Sequence, residues 1–249
     1  MRLKLTIAYD GANYAGWQIQ KIGLGVQQIV EEAIAKIFQQ QIRIHGSSRT
    51  DTGVHARAMI AHFDLPEDRL RMPMNKVALA LNAQLPEDIR VMEAREAAED
   101  FHARFDAKGK QYRYFVYNHP AMDPLLRRQA WHVPQKLDLA AIRKAATYFK
   151  GKQDFAAFAN NRNYAMETTV RTLFRCELKK AGPILTFIIE GDGFLYKMCR
   201  GIVGTLIQCG AGKFPPTDIA KMLAAKDRRM AGMTAPAHGL VLWKVFYES

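Results

Sequence analysis

Apolar and polar residues alternate with a period of two from the start of the chain, Met-Arg-Leu-Lys-Leu-Thr-Ile, which predicts a strand. The period then lengthens. Over residues 25–40, Val26, Val30, Ala33 or Ile34 and Ile37 recur at helical spacing while Glu31, Glu32 and Lys36 fall outside the stripe, so an amphipathic helix is expected. Ile42 and Ile44 return to alternation, as do Met59, Ala61 and Phe63, predicting two half-buried strands joined by a loop. A second helix is read over 75–84, ended near Pro86, with a strand over 89–92 after it. The first half thus reads β-α-β-β-α-β.

The second half continues in the same style with longer insertions. Residues 111–117 form an aromatic-rich strand, and Leu139, Ile142, Ala145 or Ala146 and Phe149 mark a helix that ends at Gly151. Strands over 170–178 and 184–190 make a hairpin turning at Ala181-Gly182-Pro183. Met198, Ile202, Thr205 and Cys209 give the inward stripe of a helix closing at 210–212, a short helix starts at Thr217, and a last strand covers 240–247. The polar run Asn160, Asn161, Arg162, Asn163 and Tyr164 has no period and reads as a surface loop. Two domains are expected, an N-terminal α+β half over 1–105 and a C-terminal α+β half over 106–249.

Charge narrows the class of partner. Lys and Arg total 36 against 24 Asp and Glu, a net charge of +12 that favours a polyanion over a neutral metabolite and sets nucleic acid ahead of membrane surfaces. No segment approaches the roughly 20 apolar residues of a membrane-spanning helix, and the strand-like start leaves no room for a signal peptide. Cys176, Cys199 and Cys209 show no Cys-x-x-Cys spacing and an odd count, which argues against a disulfide framework and for the reducing cytoplasm. The seven histidines lack metal-ligand spacing and no Gly-x-x-x-x-Gly-Lys-Ser/Thr loop occurs, so neither metal nor cofactor is expected.

The segment Gly46-Ser-Ser-Arg-Thr-Asp-Thr-Gly-Val-His-Ala56 carries the chemistry. It places the carboxylate of Asp51 in a tight loop between strand-like runs, bracketed by Gly46 and Gly53, which permit positive φ and close backbone approach. Arg49 stands two residues from Asp51 with an ionised guanidinium suited to phosphate. By composition alone the loop reads first as a capped turn, since Ser, Thr, Asp and Gly are its ordinary residues.

The order Arg-Thr-Asp followed by Gly-Val-His-Ala resembles the signature of the pseudouridine synthases, and most closely the tRNA pseudouridine synthase A family. Four further segments resemble that family in the same order: Tyr9-Asp10-Gly11 through Gly16-Trp17-Gln18, Phe101 to Phe105, Lys110 to Tyr114, and Met198 to Gly204 with Gly239-Leu240. Ser48 and Thr52 depart from it, where the family usually carries Gly and Ala. The resemblance implies two ferredoxin-like halves with mixed, mainly antiparallel sheets meeting at a central catalytic cleft. It further implies an isomerase without cofactor or metal that turns uridine into pseudouridine at nucleotides thirty-eight, thirty-nine and forty of the tRNA anticodon stem-loop, working as a cytoplasmic homodimer.

Roles follow on matched positions. Asp51 is the expected nucleophile, able to add either to C6 of uracil or to C1′ of ribose. Arg200 is the expected cation that keeps Asp51 ionised, and Tyr112 the ring that stacks on the flipped base and helps remove the C5 proton. Arg49 is expected on a phosphate or in the space the nucleotide vacates. Tyr14, Trp17 and Gln18 look like a loop that inserts against tRNA, with burial of Trp17 in the N-terminal core the equal alternative. Lys108, Lys110, Arg113, Arg127, Arg128, Lys197, Lys226, Arg228 and Arg229 would line a groove for the RNA backbone. The rival from another class is a non-catalytic structured-RNA-binding protein, against which Asp51 argues, because an unreactive carboxylate in an RNA groove only repels phosphate. A phosphoryl-transfer enzyme ranks last for want of magnesium-binding carboxylates near the loop.

Overall fold

The computed structural model describes residues 1–160 and 168–248, in two compact units. The first comprises Met1–Lys108 with Val241–Ser249, the second Gly109–Leu240. Most of the polar run 160–164 lies outside the described residues. Among the described residues, no helix is long and apolar enough to cross a membrane.

In the first unit, strands β1 (Arg2–Tyr9), β2 (His45–Gly46), β3 (His55–Asp64) and β4 (Ile89–Ala97) and helices α1 (Val26–Phe38) and α2 (Met74–Asn82) follow the expected β-α-β-β-α-β order. The sheet runs β4-β1-β3, antiparallel throughout, and β2 pairs with the far edge of β3. Register puts Leu3 opposite Phe63, Leu5 opposite Ala61 and Ile7 opposite Met59, so one face of the sheet is continuous hydrocarbon. Phe38 of α1 meets Phe63 at 6.2 Å between ring centres, which seats the helix on that face.

The strand expected around Ile42 and Ile44 shrinks to two residues, and the reason is on α1. Ile44 N donates to Glu31 Oε1 at 3.0 Å and Ile44 O accepts from Gln27 Nε2 at 3.1 Å, so helix side chains take the backbone groups that a ladder would have used. At its other end β3 pairs with the last strand: β10 (Leu240–Phe246) runs parallel to it through Val241 and His55, and Leu242 and Ala56. The chain passes between the units at Lys108–Gly109 and again at Leu240–Val241, so the last strand beyond Leu240 is counted with the first unit.

The opposite face of β3 is covered by the Phe101 to Phe105 segment. Ala103 N donates to His62 Nδ1 at 3.1 Å, Tyr247 hydroxyl donates to Ala103 O at 2.7 Å, and Lys4 lies 4.4 Å from the centre of the Phe101 ring. The rings of His45, His62 and His102 cluster there, 4.7 to 5.7 Å apart. Burial, with the neighbouring His102 and His45, pulls His62 from 6.5 down to about 4. An imidazole that titrates lower when folded than when unfolded stabilises the fold fully above pH 6.5 and loses that contribution as pH falls toward 4. The melting midpoint is therefore expected to fall across this window, and His62→Gln to flatten that part of the dependence; calorimetry at several pH values measures it, and equal slopes would contradict it.

The second unit contains β5 (Gly109–Tyr117), β6 (Trp131–His132), β7 (Gly151–Asp154), β8 (Val170–Ala181) and β9 (Ile184–Gly191), with α3 (Leu139–Thr147), α4 (Met198–Gly210) and α5 (Asp218–Ala225). Its strands run β5-β9-β8-β7, antiparallel, with β6 parallel to β5. The neighbour order β5-β9-β8 repeats β1-β3-β2, with α3 and α4 in the places of α1 and α2 in the chain order, so the two units are built on one plan. Tyr112, Tyr114 and Val116 lie opposite Ile189, Phe187 and Leu185 and are buried. Strands β6 and β7 are absent from the sequence reading because two and four residues are too few to show a period.

Candidate active site

Asp51 sits on the loop 47–54, between β2 and β3, and that loop is held by the segment after β1. A register shift between Ile7 and Tyr9 re-aims the end of β1, and Tyr9 hydroxyl then hydrogen-bonds Thr50 Oγ1 at 2.8 Å. Trp17 N donates to Thr50 O at 3.2 Å, Gly53 N to Tyr14 O at 3.3 Å, and Val54 N to Asp51 O at 3.1 Å. Gly16 lies against this backbone at φ +90°, where a Cβ would stand 2.3 Å from Thr50 O. Gly11 is as close on the other side, since its Cβ would fall 2.0 Å from Val54 O. His55 Nδ1, 3.0 Å from Gly11 N and 2.9 Å from Asp10 Oδ1, ties the start of β3 to the same segment. Two motifs that are separate in the chain, 9–18 and 46–56, thus form one object: the first is a mould and the second is cast in it, with Asp51 half-buried at its tip.

That mould corrects the reading of Trp17. Its indole is 2% exposed, stacked on Tyr9 at 6.2 Å, and fills the space that a side chain at Gly46 would need. Of the two roles weighed for Trp17, burial in the core is the one it has. Tyr14 is likewise buried, with its hydroxyl on the carboxylate of Asp88. Gln18 donates to Gln27 Oε1 at 2.9 Å, extending the polar network that also holds Ile44. Of the three, Tyr14 and Trp17 bond the loop through their backbones. Arg49 is exposed beside it. Ser48, one of the departures from the family pattern, is buried, and its Oγ is the buried side-chain atom without a hydrogen-bond partner among the described residues.

In the second unit, Tyr112 is 7% exposed on β5, its ring edge-on to Phe194 at 5.0 Å. Tyr114 on the same face donates to Pro236 O at 2.7 Å; burial raises its phenol far above its ordinary value, with the charge of Arg200 opposing. Arg200 is the third residue of α4. Its Nε donates to Ala235 O at 2.8 Å, and its own carbonyl accepts from Ala235 N at 3.0 Å. Several cations assigned to an RNA groove are engaged within their own unit. Lys226 pairs with Asp154 at 3.0 Å, Arg229 with Asp227 at 2.7 Å, and Arg228 reaches Gly232 O at 2.7 Å and Thr234 Oγ1 at 2.8 Å. Among the described residues no group of three or more His, Cys, Asp or Glu is placed to hold a metal ion.

The family model for tRNA pseudouridine synthase matches residues 5–106 and 145–248, stretches that carry Asp51 and Arg200, while Tyr112 falls between them. The chain is 44% identical over 245 residues to the tRNA pseudouridine synthase A of Pelobacter propionicus, covering 98% of this chain and 99% of that one. It is 46% identical over 249 residues to the protein of that name from Geobacillus kaustophilus, with 99% and 95% covered, and 43% identical over 251 residues to the one from Bacillus pumilus, with both chains fully covered. The α+β architecture is accordingly that of the pseudouridine synthase fold. The chain belongs to the tRNA pseudouridine synthase family, isomerases that act on uridine in tRNA.

Proposed function

We propose that this enzyme converts uridine to pseudouridine at nucleotides thirty-eight, thirty-nine and forty of the tRNA anticodon stem-loop, with Asp51 as nucleophile, and that it works in the cytoplasm as a homodimer. The observation that carries the reading is the moulded loop, which fixes the backbone on both sides of Asp51 and so presents its carboxylate in a set direction. The carboxylate adds to C6 of the uracil or to C1′ of the ribose and the N1–C1′ bond breaks. The uracil then turns, a C5–C1′ bond forms, the bond to Asp51 breaks and returns the free carboxylate, C5 loses its proton and N1 gains one. Atoms and electrons balance without any co-reactant. Arg200 supplies the cation that keeps Asp51 ionised once the base displaces water, and Tyr112 supplies a ring for the flipped base and a hydroxyl for the C5 proton.

Several adjacent targets for one nucleophile require recognition by tRNA shape and backbone more than by base edges, which the net charge of +12 suits. Transcripts of one tRNA carrying uridine at only one of the three nucleotides test the assignment. Pseudouridine is expected in each of the three and nowhere outside the anticodon stem-loop; modification confined to another arm would overturn the positional reading.

A further inference from the structure

Residues 227–236 form a strap that lies along α4 and is fastened at close intervals. Gly232 N donates to Thr205 Oγ1 at 3.0 Å and Met233 N to Gln208 Oε1 at 3.0 Å. Met233 O comes so near Gly204 that a Cβ there would stand 1.9 Å from it, so only glycine admits the strap at that turn. Past this point the strap meets the two elements that carry the proposed chemistry of this unit. Ala235 exchanges two hydrogen bonds with Arg200 of α4, and the next carbonyl, Pro236 O, accepts from Tyr114, which shares the face of β5 with Tyr112. Occupying Nε with one fixed carbonyl sets the plane of a guanidinium, and with it the direction in which the other two nitrogens point.

What gives the strap its shape is Arg228. Its half-buried guanidinium donates to Asn160 Oδ1 at 3.4 Å, to Ala231 O at 3.4 Å, to Gly232 O at 2.7 Å and to Thr234 Oγ1 at 2.8 Å. Four acceptors from four residues around one planar cation close the chain into a knot that ends one residue before Ala235. We propose that Arg228 is a positioning residue for Arg200: it holds the strap in the shape that presents Ala235 O to Arg200 Nε and so aims the Arg200 guanidinium. This inference rests on the reading of Arg200 as the cation that keeps Asp51 ionised.

The experiment measures the pH dependence of kcat/KM on one tRNA for wild type, Arg200→Ala, Arg228→Lys, Thr234→Val and the Arg200→Ala/Arg228→Lys pair, each at a temperature where circular dichroism shows it folded. Arg228→Lys keeps the charge and loses the planar fork, while Thr234→Val keeps Arg228 and removes one acceptor. If Arg200 is misaimed, ionising Asp51 requires higher pH, so the acid limb of the profile moves up in Arg228→Lys and Thr234→Val as it does in Arg200→Ala, by a smaller amount. An accompanying loss in kcat of about tenfold for Arg228→Lys, with KM within about twofold, fits a misplacement of well under an ångström. In the double variant the Lys substitution then adds nothing. A limb that stays in place in both Arg228→Lys and Thr234→Val while moving in Arg200→Ala overturns the inference and leaves the role of Arg200 standing. A rise in KM alone overturns it in favour of a phosphate contact. If Arg200→Ala itself leaves the limb unmoved, the counter-ion role falls, and this inference with it.

Discussion

Asp51→Asn is expected to reduce turnover by at least about a thousandfold while leaving tRNA affinity within about threefold of wild type. The amide keeps the shape of the carboxylate and lacks the negative charge that makes its oxygen a nucleophile, so the chemical step is removed and the contour of the loop is kept. The backbone bonds that hold the loop, from Trp17 N to Thr50 O and from Gly53 N to Tyr14 O, do not involve the carboxylate, so the fold of 47–54 should survive the change. Loss of the negative charge favours phosphate if it does anything to binding. Purified Asp51→Asn that turned over at a tenth of the wild-type rate would remove Asp51 from the role of nucleophile.

Tyr112→Phe separates stacking from proton transfer. The ring remains edge-on to Phe194 and opposite Ile189, so both its packing and its offer of a platform for the flipped base persist. Removal of a group that transfers a proton costs about a hundredfold to ten-thousandfold in rate, and that loss is expected in kcat with little change in KM. Because the C5 proton leaves after the glycosidic bond has broken, the variant should stall late, with covalent or rearranged intermediate accumulating in single-turnover experiments. Wild-type turnover by Tyr112→Phe would leave Tyr112 as a stacking surface only.

The alternation of Arg2–Tyr9 and the helical stripe of Val26–Phe38 were legible in the chain because each buries one continuous face, and burial of one face is what creates a period. The alternation of Ile42 and Ile44 predicts more strand than His45–Gly46 provides, because Gln27 and Glu31 of the preceding helix take the backbone bonds of Ile44, a competition that no local pattern records. The last strand shows its own period plainly, yet its partner is β3, almost two hundred residues earlier, and no local pattern names that partner.

In the site, the motif around Asp51 was legible and the reason for the motif at 9–18 was not. Gly11 and Gly16 are there because backbone approaches them at distances that no side chain permits, and glycine spacing is the one trace this leaves in the sequence. Trp17 was ambiguous for a related cause: an aromatic among polar neighbours reads as a surface contact until the space above Gly46 is seen to be its socket. Arg228 reads as one more RNA-binding charge because its nearby acceptors, Ala231, Gly232 and Thr234, carry no pattern of their own and the other, Asn160, is brought to it only by the fold.

The most direct measurement is to incubate the purified enzyme and its Asp51→Asn variant with an unmodified tRNA transcript, with neither metal nor nucleotide added, and to map pseudouridine nucleotide by nucleotide. Pseudouridine in the anticodon stem-loop with the wild-type enzyme, and none with the variant, is the expected result. Absence of pseudouridine with the wild-type enzyme, or its formation by both proteins, would contradict an isomerisation driven by Asp51.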